Sequence, residues 1–455
     1  MSFPKYPEYK DSGVEWLGEV PAHWGVKQLK YLVTCLDGQR IPLNGVERYS
    51  KQGSVPYWGA NKIMDYVDEA IFDEELVLLG EDGAPFFDVG KPVAFHSSGP
   101  VWPNNHIHVL RPGDSAWVKS IVYGLNATNY IDFVEGSTRD KLTQSRMMSI
   151  PLAWPPHDER NHIDSFLDHE TARIDALVEE QQRLIELLKE KRQAVISHAV
   201  TKGLDPDVPM KDSGVEWLGE VPAHWNVVKF KYLIAEFEQG WSPQCDGDQA
   251  ETLDEWGVLK VGCVNYGVFD PTENKRLPDN LEPRPELSIR KDDLLISRAN
   301  TRDLVGSAAH VPMDYPKLMA SDKIFVVRLH QRICRSRYAV VYLFGKGVRH
   351  QIELQATGAS SSMLNIGQGA IRELWIPLPP DSEQDRIVHE LEKREADFAA
   401  LEQETVRHMR ILNERRSALI SAAVTGKIDV RGWQADQQSR QSEILMAAET
   451  RATYG

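Results

Sequence analysis

Cysteine is scarce in this chain of 455 residues. The four cysteines are far apart and form no CxxC pair, so neither a zinc site nor a disulfide framework is expected. No apolar run approaches the roughly 18 residues of a membrane span, and the start of the chain lacks the basic and apolar regions of a signal peptide. We therefore expect a cytoplasmic protein with buried free thiols, no metal and no membrane partner.

The common catalytic motifs are missing as well. The sequence has no GxxxxGK[ST] phosphate loop, no HExxH, no GxSxG and no Asn-Pro-Pro-aromatic motif. His106 and His108 alternate along a predicted strand, where two exposed histidines on one face are commoner than a pair of ligands. These absences argue against an enzyme and predict no catalytic residues in this chain.

The chain also has fewer positively charged than negatively charged residues. Lys and Arg number 52 against 67 Asp and Glu, which gives a net charge of −15. Nonspecific affinity for nucleic acid comes mainly from Lys and Arg, so the whole surface is not expected to bind phosphate. Any contact with nucleic acid must come from a local patch that the average charge conceals.

The sequence does contain a long internal repeat. Residues 10–24, KDSGVEWLGEVPAHW, return unchanged at residues 211–225, and 19 of 23 positions match when the alignment continues to Leu32 and Leu233. Each repeat is followed by a segment of short apolar runs punctuated by Gly, Pro and Asn, which predicts a mostly β domain. The chain is therefore a tandem duplication with two domains of similar size.

A long helix is predicted after each β domain. Residues 159–199 contain no Pro or Gly, and their apolar residues recur in two seven-residue series. The first series is Leu167, Ile174, Leu188 and Val195, and the second is Ile163, Leu177 and Leu184. A shift of 224 aligns this segment without a gap to the second helix, where Leu391, Phe398, Leu412 and Leu419 take the positions of the first series.

The two β domains diverge between these matched ends. They share only an outline: NHIHVLRP resembles SDKIFVVRL, VLLGED lies where LLISRAN lies, and Gly136 with Leu142 aligns with Gly358 and Leu364. Identical frames around divergent domains indicate one scaffold with two different recognition surfaces.

The chain has a repeated frame, an Ile-Pro-Leu and a proline pair at the end of each variable domain, and two helices ending ISHAVTKG and ISAAVTGK. Together these features resemble the DNA-specificity subunit of type I restriction-modification enzymes. The resemblance covers residues 4–430 and implies an α+β fold with two pseudo-repeated, mostly β target recognition domains. Two long antiparallel helices would form a coiled coil between them, with overall pseudo-two-fold symmetry.

The resemblance also implies a function. Each recognition domain would bind one half of a bipartite double-stranded DNA site, and the helices would set the spacer. Two modification subunits, which are adenine-N6 methyltransferases, would dock on the repeated regions and bind S-adenosylmethionine, for which this chain would have no site. Restriction subunits, the translocase and nuclease, would join this core, in the cytoplasm of a bacterium or archaeon. Half-sites one helical turn apart are separated by about 34 Å, which suits two domains on a rigid connector.

The predicted organisation has seven parts. They are an N-terminal frame (1–25), recognition domain 1 (26–150), helix 1 (151–205), the repeated frame (206–226), recognition domain 2 (227–376), helix 2 (377–430) and a flexible tail (431–455).

Basic, amide and hydroxyl side chains in predicted loops are candidate DNA contacts, since such groups contact bases and phosphates. In recognition domain 1 they are Asn104, Asn105, Arg139, Lys141, Gln144 and Arg146. In recognition domain 2 they are Arg298, Asn300, Arg302, Ser360, Ser361, Ser362 and Gln368. Solvated polar turns are the alternative interpretation. Trp102 lies between prolines and is expected to pack, and Glu81 and Asp82 are expected in a solvent-exposed turn.

The aromatic and apolar residues of the frame have two possible roles, an interface for a modification subunit or docking within the chain. They are Trp16, Leu17, Trp24, Trp217, Leu218 and Trp225. Two other functions stay open. The acidic charge favours a coiled-coil scaffold for proteins alone, and an autonomous methyltransferase or nuclease is disfavoured by the missing motifs.

Overall fold

The computed structural model describes residues 3–88, 90–136, 140–245, 247–250, 255–360 and 363–435. Candidate contacts Arg139, Ser361 and Ser362, and all but the first residues of the predicted tail, lie outside these ranges. The chain forms two compact units, residues 1–183 with 405–455 and residues 184–404.

The first half of the chain contains fourteen strands and four α-helices among its described residues. The strands are β1 (Tyr9–Asp11), β2 (Glu19–Pro21), β3 (Gly25–Gln28), β4 (Val33–Cys35), β5 (Gln52–Trp58), β6 (Ile63–Val67), β7 (Phe72–Asp73), β8 (Leu76–Gly80), β9 (Ala94–Ser97), β10 (Pro100–Pro103), β11 (Ile107–Pro112), β12 (Val134–Glu135), β13 (Lys141–Leu142) and β14 (Pro151–Trp154). The helices are α1 (Gly45–Ser50), α2 (Val118–Asn126), α3 (Gln144–Met148) and α4 (His157–Lys202).

The described residues of the second half repeat this plan. The strands are β15 (Met210–Asp212), β16 (Glu220–Pro222), β17 (Asn226–Lys229), β18 (Ile234–Gln239), β19 (Gly257–Leu259), β20 (Asn274–Arg276), β21 (Ser288–Ile289), β22 (Leu294–Ser297), β23 (Ala299–Asn300), β24 (Ala308–His310), β25 (Tyr315–Met319), β26 (Ile324–Leu329), β27 (Thr357–Ser360), β28 (Met363–Asn365) and β29 (Trp375–Leu378). The helices are α5 (Ser336–Leu343), α6 (Lys346–Gln355), α7 (Gln368–Glu373) and α8 (Asp381–Val424).

The two β domains have the same topology. A four-stranded sheet of order β4-β11-β8-β9 in the first unit corresponds to β18-β26-β22-β24 in the second. A second sheet, β6-β5-β10-β7, corresponds to β20-β19-β25-β21, and each contains one parallel pair. The sequence comparison found only an outline of this likeness, because buried strands require apolar residues of the right size and tolerate many identities.

The long helices begin at equivalent residues. Helix α4 starts at His157 and α8 at Asp381, which is the predicted shift of 224. Each first turn is acidic, as suits the positive end of a helix dipole. Helix α4 ends at Gly203, whose φ of +81° is costly for any residue with a Cβ.

Within each unit the two helices run antiparallel. In the first unit the start of α4 packs on the end of α8, and Asp175 forms an ion pair with Arg416 at 2.8 Å. In the second unit the end of α4 packs on the start of α8, and Arg192 pairs with Glu395 at 2.6 Å. The predicted α+β fold class, with pseudo-repeated domains on long antiparallel helices, is confirmed.

The predicted heptad pattern is only partly right. The first series lies on the packed face of α4, and Ile163 of the second series is buried too. Leu177 and Leu184 are exposed, and Ile185 is buried instead. An α-helix has 3.6 residues per turn, so positions seven residues apart drift around the helix by about 20° per repeat. Over several repeats this drift moves the packed face by one residue, from Leu184 to Ile185.

Candidate nucleic-acid interface

The predicted contact segments of the second domain meet in one small sheet. Strand β23 pairs with β28, and β28 pairs with β27. This arrangement joins residues 297–303 to residues 357–368, which are far apart in the sequence. We call the pair of strands β27 and β28 the second hairpin.

The side chains of residues 298–302 have different surroundings. Arg298 is half-buried, and its Nε donates a hydrogen bond to the carbonyl of Asp322 at 2.8 Å. Asn300 donates to the amide oxygen of Asn265 at 3.3 Å. Arg302 is exposed, with no ion pair recorded for it among the described residues. Arg298 and Asn300 are therefore positioned by the protein, while Arg302 can move toward a ligand.

The remaining described candidates of this domain are Ser360, in the second hairpin, and Gln368, which follows it. Gln368 is the first residue of α7 and is half-buried. The backbone of Ser360 ends strand β27, while Ser361 and Ser362 lie outside the described residues. The structure thus brings Gln368 close in sequence and space to the sheet that contains Asn300.

The first domain has an equivalent hairpin. Strands β12 and β13 pair antiparallel, and we call this pair of strands the first hairpin. Asp82 forms an isolated bridge with Lys141, and the amide of Leu142 donates to the carbonyl of Glu81 at 2.7 Å. A segment that follows a central strand therefore pairs with a hairpin in both domains.

Backbone hydrogen bonds give the residue correspondence between the domains. In the first domain, the amide of Leu142 donates to the carbonyl of Glu81, and the amide of Glu81 donates to the carbonyl of His106. In the second domain, the amide of Ile366 donates to the carbonyl of Arg298, and the amide of Arg298 donates to the carbonyl of Lys323. Leu142 therefore corresponds to Ile366, two residues from the predicted alignment with Leu364. Glu81 occupies the place that Arg298 occupies in the second domain.

The candidate residues on the first hairpin and after it are exposed. Lys141 lies on β13, Gln144 begins α3, and Arg146 forms an ion pair with Glu135 at 2.8 Å. Gln144 and Gln368 are both the first residue of the helix that follows a hairpin. These three first-domain side chains are thus accessible on one segment.

The two candidate asparagines differ. Asn105 is exposed, but Asn104 is only 4% exposed and its side-chain oxygen accepts from the amide of His106 at 2.8 Å. The structure therefore does not support Asn104 as a base-contacting residue, because its amide is used inside the turn. Trp102 is buried and donates to the carbonyl of Ile41 at 2.7 Å, which confirms that it packs.

A buried charge network lies under the first hairpin, and sequence reasoning missed it. Glu81 accepts from Arg40 at 2.6 Å and pairs with Lys141 at 3.3 Å. His108 is only 1% exposed, and its Nδ1 lies 2.5 Å from Asp37. The expectations of an exposed His108 and a solvent-exposed turn at Glu81 are both wrong. The signal that could have indicated burial is Leu110, an apolar residue two positions from His108 and therefore on the same face of β11, which is buried as well.

This network resembles a metal site only in part. Ligand atoms of Asp37, Glu81 and His108 lie within 4.8 Å of one another. However, the guanidinium of Arg40 and the ammonium of Lys141 already neutralise Glu81. The positive charge that a metal would supply is therefore provided by side chains.

Burial would by itself raise the pKa of Asp37. The hydrogen bond and charge of His108, the amide of Val109 and the charge of Arg40 outweigh that effect, so the pKa of Asp37 lies below its usual value. Asp37 is consequently ionised at neutral pH, and the network consists of charged groups that stabilise one another.

Most frame residues proposed for a partner interface are buried inside the chain. Trp24 and Trp225 have no accessible surface, and Leu17 and Leu218 are also buried. Docking within the chain therefore accounts for these four. Trp16 and Trp217, the remaining two, are half-buried and retain accessible surface.

The identical frames are held by identical contacts. Glu159 in the first turn of α4 accepts from the indole of Trp24 at 3.0 Å and lies 2.7 Å from His23. In the second unit, Glu383 in the first turn of α8 makes the equivalent contacts with Trp225 at 3.1 Å and His224 at 2.8 Å. The repeated AHW sequence thus fastens each frame to the start of a long helix.

Among the described residues, every helix is too short or too polar to cross a membrane. The family model described as "Type I restriction modification DNA specificity domain" matches residues 21–187 and 259–407. These ranges cover more than half of the chain, each including one hairpin segment and part of a long helix. The chain therefore belongs to the family of type I restriction-modification DNA specificity proteins.

Individual relatives agree with this assignment. The chain is 28% identical over 214 residues to the type I restriction enzyme EcoEI specificity subunit of Escherichia coli, a match that covers 47% of this chain and 36% of that protein. The chain thus aligns with only about a third of that relative's length. It is 20% identical over 448 residues to the StySPI specificity subunit of Salmonella potsdam, with 92% of each chain covered.

A solved structure has the same fold. A chain from the study titled "Structural basis underlying complex assembly and conformational transition of the type I R-M system" superposes with a TM-score of 0.61. The match has 14% sequence identity and covers 89% of this chain and 98% of that one.

Proposed function

We propose that this chain is the noncatalytic DNA-specificity subunit of a type I restriction-modification complex. Each β domain binds one half of a bipartite DNA site, and the long helices set the spacer. One observation carries the proposal: the two domains share a topology, yet equivalent positions in and beside the segments that pair with the hairpins differ in charge and hydrogen-bonding capacity. In this correspondence Glu81 of the first domain is equivalent to Arg298 of the second, and His106 is equivalent to Lys323.

Different side chains at equivalent positions suit two different half-sites. Arginine donates two hydrogen bonds to guanine, and amides pair with adenine. Exposed Arg302, Lys141 and Arg146 supply the local positive charge that the acidic composition lacks overall. Gln144 and Gln368 are alike in residue type and location, so we assign them a shared contact, such as phosphate, that does not discriminate between half-sites.

Two modification subunits dock on the repeated helices and frames in this proposal, and they bind S-adenosylmethionine. Restriction subunits complete the assembly. The helices have matched exposed apolar residues, Leu177 with Leu401 and Leu187 with Ile411, each pair separated by the shift of 224. Trp16 and Trp217 supply two further matched positions. A duplicated set of exposed apolar residues supports two equivalent partners.

Methylation mapping tests the proposal. A host that carries this gene and the gene of its modification subunit is expected to methylate one bipartite sequence. The purified complex should bind that sequence far more tightly than a scrambled duplex at the same salt concentration. Equal affinity for both duplexes, or no effect of DNA in a pull-down, would favour a scaffold for proteins alone.

A second test concerns the spacer. Inserting one heptad at matched positions of α4 and α8 should change the number of bases between the half-sites without changing the half-sites themselves. A control insertion in the segment 436–455 should leave the spacer unchanged. Altered half-sites with an unchanged spacer would refute the assigned role of the helices.

A further inference from the structure

We propose that His108 is a positioning residue for DNA recognition, because as an imidazolium it fixes the first hairpin and the Lys141 side chain on it. Recognition of one half-site then depends on His108, and recognition of the other does not. This inference rests on the proposed function.

The hydrogen bonds of His108 define its charge. Its Nδ1 lies 2.5 Å from the carboxylate of Asp37, and its Nε2 lies 2.8 Å from the carbonyl oxygen of Leu142. Both partners are acceptors, so both ring nitrogens must donate. A neutral ring would place a lone pair against one of these oxygens in a site without solvent, which is unfavourable.

The surrounding charges are consistent with an imidazolium. Asp37 and Glu81 supply two negative charges, and Glu81 lies 3.9 Å from Nδ1. Arg40 and Lys141 supply two positive charges, both directed at Glu81. The Cys35 thiol next to Asp37 stays neutral, because burial raises its pKa to about 11. Asp37 thus has His108 as its nearest cation, while Arg40 is 3.6 Å away.

His108 holds the strand that presents Lys141. Leu142 donates its amide to Glu81 and accepts from His108 through its carbonyl, so both polar backbone groups of this residue are fixed. Lys141 precedes it, with half of its side chain exposed. Loss of the His108 bond would free one side of β13 and with it the position of the Lys141 ammonium group.

The second unit provides an internal control. Phe325 occupies the place of His108 on the equivalent strand, with its ring centroid 5.1 Å from that of Phe237. Apolar packing therefore supports the second hairpin, where Arg298 replaces Glu81. The bond from His108 to the first hairpin has no counterpart at this position under the second hairpin.

The experiment uses the complete complex with its modification subunits and the bipartite site found by methylation mapping. Three duplexes are compared: the intact site and two sites in which one or the other half is changed. The measured quantity is discrimination, the ratio of Kd values for an altered and the intact site. Variants are His108→Gln, which keeps a polar side chain without the charge, and His108→Phe, which copies the second unit. Phe325→Leu is the matched control.

Both His108 variants should lose discrimination at one half-site by about tenfold or more, the effect typical of losing one base contact. Discrimination at the other half-site should stay unchanged, which also shows that the variant complex is folded. Phe325→Leu should not reproduce the loss at the half-site that depends on His108.

The double variant His108→Gln with Lys141→Gln separates positioning from simple packing. If His108 acts through Lys141, the double variant should lose no more discrimination than Lys141→Gln alone, because the two losses are then not independent. Equal discrimination in wild type and the His108 variants, or additive losses in the double variant, would overturn the inference. Absence of any bipartite site in the wild-type complex would instead refute the proposed function.

Discussion

Asp164 is a buried carboxylate whose replacement should stabilise the protein. It lies on α4 with 7% of its surface exposed, and one oxygen accepts from the hydroxyl of Ser120 at 2.5 Å. The other oxygen and the Nε of nearby Arg160 make no hydrogen bond among the described residues. Burial is the main cause that raises the pKa of Asp164 to about 6 from its usual 3.8.

The sign and size of the effect follow from this pKa. A pKa that is higher in the folded state means that folding favours the protonated acid, so Asp164 lowers the free energy of unfolding as pH rises from about 4 to about 6. A shift of roughly two units at 1.36 kcal/mol per unit corresponds to about 3 kcal/mol above pH 6. Asp164→Asn should remove most of that penalty, since the raised pKa already includes the opposing attraction to Arg160.

The assay is thermal unfolding of wild type and Asp164→Asn between about pH 4 and about pH 8. We expect similar midpoints at pH 4 and a variant midpoint higher by several degrees at pH 8, since 1 kcal/mol corresponds to about 2 to 4 °C for a domain of this size. Asp397→Asn, at an exposed position of α8, is the control and should follow wild type. A constant difference across the pH range, or a variant that is less stable at pH 8, would refute the reasoning.

Two further predictions concern the frame and the thiols. Glu159→Gln and Glu383→Gln should each lower the unfolding midpoint, with the larger loss for Glu159 because it is the more buried of the two. A loss of about 1 to 3 kcal/mol is expected for a buried charged hydrogen bond, and no change in denaturation midpoint would contradict the fastening role. Cys263 and Cys334 should resist a thiol reagent until the protein unfolds, because burial raises the pKa of both thiols. Rapid labelling of either thiol in the native protein, detected by mass spectrometry, would contradict this prediction, because it would show that the thiol is accessible to the reagent.

The sequence allowed prediction of those features that depend on local pattern. The duplicated frame, the β character of the domains and the equivalent helix starts at His157 and Asp381 follow from identity, turn residues and the absence of helix breakers. The proline pairs before both helices gave clear boundaries. Such signals survive because each constrains the backbone within a few residues.

Features that depend on long-range contacts could not be predicted. The alignment of VLLGED with LLISRAN already implies that Glu81 and Arg298 correspond, but their pairing with hairpins more than sixty residues away does not follow from it. The burial of His108 is tolerated only because Asp37 and Leu142 supply acceptors from two other segments. A partner that the sequence does not place beside a residue cannot be inferred from that residue's type.

The two units share some contacts between a β domain and a long helix and differ in others. Lys119 pairs with Asp168 in the first unit, and Arg337 pairs with Glu392 at the equivalent positions in the second. Both ion pairs join a helix of the β domain to a long helix.

The buried position of Asp164 behaves differently, because Val388 replaces it in the second unit. A junction that only has to hold a domain can be filled by a carboxylate or by an apolar side chain, provided that its neighbours adapt. Charge at such a junction therefore carries no information about DNA. The informative differences are those on accessible segments, at Lys141 in one domain and Arg302 in the other. Substitutions there should change discrimination at a single half-site and leave the fold intact, whereas substitutions at Asp164 should change stability and leave discrimination intact.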